Sequence, residues 1–443
     1  MGVMVASELY IAPMTYMLTP SHEIDWYQQV VELSDKIEDE SFYRVKTDKS
    51  YSGRDFDVNL LGGLGYNSLG HYTSLTGGDY MQTIKNFGYT SYWMEVGNSG
   101  GTVLTDALLS VKYQISSQSS ERDVYNGSYF NISKTSYSLP LGIITKEEIL
   151  REEFLTRGGL QKRLYNDFFE GDGVTVYEMK DANAYRLKVE EKEGKYLLTP
   201  TGTSSTPSYL SFDLTLEANS LVYVNLFDEN TNALKQAINE KFIVRAPGYY
   251  FNGYPQQKNN GLLEIGEYGA GEITVKIQVK QTVSIKEVEV VTIDTQKLAS
   301  EIATTQSVDL QVNDGKIVGR YVANGGEQVF LSLPYDEGLQ LKINGNLASL
   351  YKAYGGFTAF YLEEGDNEIE ITFTPKGFLV GAIISMVGMV ALIGSFVWFA
   401  LRRRRGKTDV HEALQAWAYF GVLAVGILTV FLVYVAPMFL CAL

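Results

Sequence analysis

The chain has 443 residues and a formal net charge of −15, with 52 Asp and Glu against 37 Lys and Arg. That sign excludes a broad nucleic-acid-binding surface, which needs the opposite charge. The single cysteine, Cys441, excludes an intrachain disulfide framework and a cysteine metal site, and fits an exported bacterial protein.

Residues 1–20 are largely apolar but carry Glu8 and Pro13, with no basic leader and no small-residue cleavage site. They read as the outer end of a membrane helix whose start is missing, or as an interfacial segment. From Ser21, the residues Ile24, Tyr27, Val30, Val31, Ser34 and Ile37 recur at helical spacing. Ser41 to Lys46 predicts a strand. Gly53 to Gly101 is dense in glycine and aromatics, which predicts tight turns and close backbone approaches. Thr105 to Tyr113 predicts a short helix leading into a strand. Lys146 to Gly171 predicts a second helix, with Glu147 and Glu148 at its positive end. Residues 21–171 are therefore expected to form a mixed α+β region.

After Gly171 the period becomes two. Leu210, Phe212, Leu214 and Leu216 alternate with polar residues, as do Ile273, Val275, Ile277 and Val279. Leu339, Leu341 and Ile343 repeat the pattern and end at Asn344-Gly345, a strong hairpin dipeptide. Ile369, Ile371 and Phe373 close the series. One buried and one wet face per strand predicts antiparallel β-sandwiches. Two modules are expected, 172–295 and 305–375, joined by a short helix near Thr295 to Thr305.

Gly377 to Leu401 is uncharged and long enough, as a helix of roughly 37 Å, to cross a hydrocarbon core of about 30 Å. Residues 416–440 form a second uncharged stretch. The linker 402–415 carries Arg402, Arg403, Arg404, Arg405 and Lys407, which places it in the cytoplasm by the positive-inside bias. A transmembrane helix hairpin at the C-terminus would then leave the bulk of the chain outside the bacterial cell membrane.

No catalytic motif stands out. His22, His71 and His411 lack partners at metal-ligand spacing, and no phosphate-cradling loop or nucleophile elbow is present. No cofactor or metal is expected. Asp55, Asp57, Asp79, Glu95 and Asp106 can meet in a cleft, although acids that cap turns are the simpler reading. The 31 tyrosines are more informative. Tyr249, Tyr250 and Tyr254 lie in a turn-rich loop, where aromatic faces can stack on sugar rings or pack between modules.

Six phrases in order carry a family resemblance: FYRVK, GYNSLGHYTSL, TDALLSVKY, SYSLPLGI, VFLSLPYDEGLQLKING and GDNEIEITFTPKGFLVGAIIS. Together they resemble the C-terminal half of the bacterial YfhO-like membrane proteins, over residues 20–390. Leu339 and Asn344 depart from the family's commoner Trp and Asp, and both keep the hairpin. The resemblance implies a GT-C type glycosyltransferase that moves a sugar from a polyprenyl-phosphate carrier to an envelope glycopolymer such as lipoteichoic acid of Gram-positive bacteria. Its catalytic acid is expected in an N-terminal membrane half that this chain lacks, so no catalytic residue is assigned. Tyr66, Asn67, His71 and Tyr72 are the residues expected to face the membrane-embedded site. The alternative is a stand-alone, membrane-tethered glycan-binding or scaffold protein without catalysis.

Overall fold

The computed structural model describes residues 30–47, 59–73, 76–92, 95–151, 153, 155–228, 241–254, 260–313, 315–404 and 421. The chain divides into two compact units, Met1–Phe373 and Thr374–Leu443.

The first unit is mostly β-sheet, and its strands follow the period-two segments. Tyr209–Leu216 and Gly271–Val279 pair antiparallel in a five-stranded sheet, completed by Asn183–Tyr185, Phe242–Ala246 and Tyr249–Tyr254. A four-stranded sheet holds Leu263–Tyr268, Ser220–Phe227, Glu287–Asp294 and Val174–Glu178. Phe212, Val244 and Ile277 of the first sheet share one apolar cluster with Val222, Ile265 and Val290 of the second. Burial at roughly 25 cal/mol per Å² makes such a shared core the main force holding two sheets together.

The strands of residues 305–375 lie in one nine-stranded sheet. It curls until both ends share a core: Leu341, Ile369 and Ile371 meet Val329, Leu331 and Phe360. A short strand from far upstream, Gly142–Ile144, pairs with Ser307–Asn313 on one side and Gln328–Pro334 on the other. Asn344 and Gly345 turn the hairpin between Leu339–Ile343 and Asn346–Ala348 with φ of 53° and 79°, the left-handed pair a two-residue turn requires. The helix Thr295–Thr304 links the regions as expected, and the Asp294 carboxylate accepts the Gln296 and Lys297 N–H groups at 3.0 Å.

The N-terminal region departs from its sequence reading in two places. The glycine-rich stretch contains a regular helix, Gly78–Asn86, whose Tyr80, Thr83 and Ile84 are buried; its glycines fall at the start and beyond the end. The predicted helix from Lys146 begins only at Arg157 and ends at Phe168. Glu147 and Glu148 therefore do not serve its positive end. Thr156 caps it, and two carboxylates from a distant strand do the rest. Glu287 Oε2 accepts the Arg157 N–H at 3.1 Å, and Glu289 Oε2 accepts the Gly158 N–H at 2.9 Å. The expected strand and helix–strand pair appear as Arg44–Thr47, Val103–Leu108 and Val111–Ser116. Of the helix predicted from Ser21, the part before Val30 lies outside the described residues, as does the whole of 1–20; after Val31 the chain turns.

The second unit contains the helix Phe378–Arg404, of which Phe378–Ser395 has a mean hydropathy of 2.3. Its length and composition suit a membrane crossing. Arg402, Arg403 and Arg404 form its last turn. Arg405, Lys407 and, apart from Gly421, the predicted partner helix 416–440 lie outside the described residues.

Two stability predictions follow from the helix Arg157–Phe168. The buried Asp167 carboxylate accepts from Arg151 Nη2 (2.9 Å), Arg163 Nε (3.2 Å) and the Tyr354 hydroxyl (2.8 Å). Asp167→Ala leaves the buried Arg163 guanidinium with the Arg151 carbonyl at 2.8 Å and the more distant Glu153 carboxylate at 3.7 Å, and should cost about 3–5 kcal/mol in thermal or denaturant unfolding. Burial raises the Glu287 carboxyl above its ordinary range, against hydrogen bonds from the Arg157 N–H and Asn225. The folded state thus binds that proton more tightly than the unfolded one, so stability falls as pH rises through the raised value. As pH rises from the ordinary glutamate range, wild type should lose stability relative to Glu287→Gln, measured by fluorescence melting.

Candidate functional site

A cleft of about 520 Å³ opens between the N-terminal region and the five- and four-stranded sheets. One wall comes from the parallel strands Arg44–Thr47 and Val111–Ser116 and the helix Val103–Leu108. Thr102 starts that helix with a reciprocal cap to Thr105, which puts Asp106 in its first turn. Lys46 Nζ meets Asp106 Oδ2 at 2.7 Å and the Gly100 carbonyl at 2.8 Å. The Tyr89 hydroxyl donates to Asp106 Oδ1 at 2.7 Å. Gly100 sits at φ 83°, and a Cβ there would meet the Gly88 carbonyl at 2.7 Å, so this approach needs glycine.

The opposite wall presents Tyr249 and Phe251, two residues apart on one strand, together with Glu264, Glu267 and Thr295. Thr295 Oγ1 donates to Glu267 Oε1 at 3.0 Å. The Tyr223 hydroxyl accepts the Val103 N–H at 3.0 Å and hydrogen-bonds the Glu264 side chain, tying the two walls together. Burial, helped by the Glu264 charge, pushes the Tyr249 phenol up to about 12, so it stays a donor at any physiological pH. Arg122 and Tyr137 complete the lining.

The cleft thus combines aromatic faces with three carboxylates and two cations. Carboxylates accept from hydroxyl groups, and aromatic rings cover the apolar faces of a ring of carbons. That chemistry suits a polyhydroxylated ring. Among the described residues, no group of three or more His, Cys, Asp or Glu is arranged to hold a metal.

The residues singled out in the sequence are dispersed. Tyr66 is buried, and its hydroxyl donates to the Leu33 carbonyl. Asn67 lines a separate cleft of about 1050 Å³ with Asp39, Lys112, Ser307 and Asp309. There the Lys112, Ser41 and Tyr113 hydrogen bonds outweigh burial and hold the Asp39 carboxyl well below its usual range. His71 is held between the Leu69 carbonyl (3.0 Å) and the Thr76 hydroxyl (2.9 Å) and stacks on Tyr80, and burial lowers its pKa. Tyr72 is exposed.

The three candidate stacking tyrosines separate as well. Tyr249 enters the cleft and Tyr250 is exposed. Tyr254 is wholly buried, its hydroxyl donating to the Gly261 carbonyl at 2.8 Å and accepting the Leu226 N–H at 3.1 Å. No sugar reaches that ring, which removes Tyr254 from the stacking set. Of the acids considered, Asp106 alone is in the cleft. Asp79 pairs with Lys352 elsewhere, Glu95 is in a strand, and Asp55 and Asp57 lie outside the described residues. Lys46, Glu264 and Glu267 carried no local signal, because their partners are far away in sequence.

The family described as "Bacterial membrane protein YfhO" matches residues 15–385. The chain belongs to the YfhO family. A YfhO relative, the "Uncharacterized protein YfhO" of Bacillus subtilis (strain 168), is 26% identical over 246 residues. The match covers 52% of this chain and 25% of that protein, so the chain spans about a quarter of its relative's length. Two solved structures show slight likeness. A family 35 carbohydrate binding module from Clostridium thermocellum aligns at 10% identity over 26% of this chain and 96% of its own, with a TM-score of 0.18. The arabinofuranosyltransferase AftD from Mycobacteria aligns at 14% identity over 42% of this chain and 15% of its own, with a TM-score of 0.19. Scores this low carry no weight for this YfhO-family chain.

Lys46→Met tests the cleft's polar wall. It leaves Asp106 with the Tyr89 hydroxyl but no cation, and should lower stability by about 1–2 kcal/mol in fluorescence melting.

Proposed function

We propose that this chain is the extracytoplasmic, acceptor-holding part of a polyprenyl-phosphate-sugar-dependent glycosyltransferase, and that the cleft around Tyr249 holds an envelope glycopolymer such as lipoteichoic acid. The transfer chemistry itself belongs to polytopic membrane helices outside this chain. The observation that carries the reading is the cleft's lining: Tyr249, Phe251 and Tyr137 beside Asp106, Glu264 and Glu267. Membership of a membrane-protein family supports a site close to lipid-linked substrates. The arginine cluster after the apolar helix supports placing the bulk of the chain outside the cell. The segment Tyr66 to Tyr72 is proposed to lie toward the membrane-embedded site.

In cells lacking the activity, the chain expressed alone should add no sugar to the envelope polymer, and expression with its polytopic partner should restore it. Restoration by this chain alone would overturn the division of labour. In the restored system, Tyr249→Ala with Phe251→Ala should reduce transferred sugar roughly ten- to thirtyfold at unchanged membrane level. Unchanged transfer would exclude the cleft as the acceptor site.

A further inference from the structure

The wet face of the five-stranded sheet carries a second arrangement, separate from the cleft. Its core face is set by Leu210, Phe212, Val244, Val275 and Ile277, so alternation turns Tyr209, Arg245, Tyr250, Lys276 and Gln278 to the other face, where Ser211 lies buried beneath its neighbours. The strand register puts them in two rows. One runs Asn183, Ser211, Lys276, Arg245, Tyr250, and the other Tyr185, Tyr209, Gln278, Ile243, Asn252.

Two features of these rows point to a ligand. Lys276 and Arg245 are direct cross-strand partners of like charge, an arrangement that destabilises a sheet. Both are exposed, and neither has a carboxylate partner among the described residues, in a protein with 52 acids. The nearby Asp213 instead accepts from Thr274 (2.8 Å) and Asn183 (3.4 Å). Each cation lies over a tyrosine, Lys276 Nζ 5.4 Å from the Tyr209 ring centre and Arg245 Cζ 5.1 Å from that of Tyr250. Such contacts contribute only about 0.5–1 kcal/mol at exposed sites and do not neutralise the charge.

The second feature is the aromatic flanks. Tyr185 and Tyr209 stack at 4.7 Å and 22° at one edge of the sheet, and Tyr250 stands at the other. Tyr185 is 44% exposed and Tyr250 57%. An aromatic ring at each edge with two unneutralised cations between them spans four strand spacings, about 19 Å. Each spacing is close to the advance of one pyranose unit, so an extended chain can lay one sugar over each strand.

We propose that this face binds an acidic polysaccharide, with Tyr185 and Tyr250 stacking on outer sugar rings and Lys276 and Arg245 meeting the carboxylates of the units between. Gln278 and Asn252, in the neighbouring row, face its hydroxyls. The Arg245 fork suits a carboxylate, and Lys276 answers the next charge along the chain. The surface stands whether or not the cleft holds a glycosyl acceptor, since the two share no residue.

The test uses the full chain in detergent micelles, with fluorescently labelled oligogalacturonate as probe and neutral galacto-oligosaccharide and linear polyphosphate as comparators. Oligogalacturonate should bind and the neutral chain should not. Lys276→Gln with Arg245→Gln should weaken binding at least tenfold, and Tyr185→Ala or Tyr250→Ala severalfold, while Tyr249→Ala leaves it unchanged. The glutamine pair sits on a wet face, and its melting curve should match wild type. No binding by wild type would overturn the proposal. So would binding that survives the glutamine pair, or polyphosphate binding of equal strength that the tyrosine variants leave intact.

Discussion

Two carboxylates that accept the first N–H groups of one helix organise the first unit. Glu287 and Glu289 project from a strand of the four-stranded sheet onto Arg157 and Gly158, and Asn225 Nδ2 donates to both at 2.9 and 2.7 Å. Gly158 has to be small, since a Cβ there would meet Glu289 Oε2 at 2.7 Å. The Arg157 guanidinium returns inward, over Phe227 at 4.6 Å and onto the Asn260 carbonyl at 2.8 Å. Further along the helix, Gln161 accepts from Thr102 and donates to the Phe87 carbonyl, which fixes the helix that presents Asp106. At the other end, Asp167 takes the Tyr354 hydroxyl from the nine-stranded sheet. One twelve-residue helix therefore registers three regions against each other through buried polar groups. Buried groups of this kind are costly when unpaired, so they punish any other docking of those regions.

The β-rich half was legible because its signal is local. Alternation in Leu210 to Leu216 and Ile273 to Val279 is a property of consecutive residues, and the observed strands follow it. The Asn344-Gly345 turn was legible for the same reason. The start of the helix at Arg157 was not. Glu147 and Glu148 have the right charge at the right end, but their neighbours do not form a helical turn, and the working carboxylates are 130 residues downstream. The clefts were hidden for the same cause. Lys46 and Asp106 are 60 residues apart, and Tyr249 and Glu264 reach them only after both sheets have formed. Composition pointed to tyrosine, and only the register could say which tyrosines remain available.

That register separates two neighbours. Tyr249 and Tyr250 are adjacent in the chain, yet strand alternation sends one into the cleft and the other onto the opposite face. The same strand buries Tyr254 against Gly261 and Leu226. A run that looks like a single aromatic loop thus supplies a lining residue, a surface ring and a core anchor. Composition alone cannot distinguish these roles, because they depend on parity and on which edge of the strand faces a neighbour.

The strand Gly142–Ile144 fills the middle of a sheet whose other strands all come after residue 306. Ribosomal synthesis delivers it first and leaves it waiting for some 160 residues before its earliest partner emerges. Until then it is an open template, with Ile143 and Ile144 able to accept any extended chain. The C-terminal strands, made last, have the opposite difficulty, since without this strand their sheet has a gap between Ser307–Asn313 and Gln328–Pro334. Completion of this sheet thereby waits on the last strands made, and its assembly is slow because it is dominated by distant pairing.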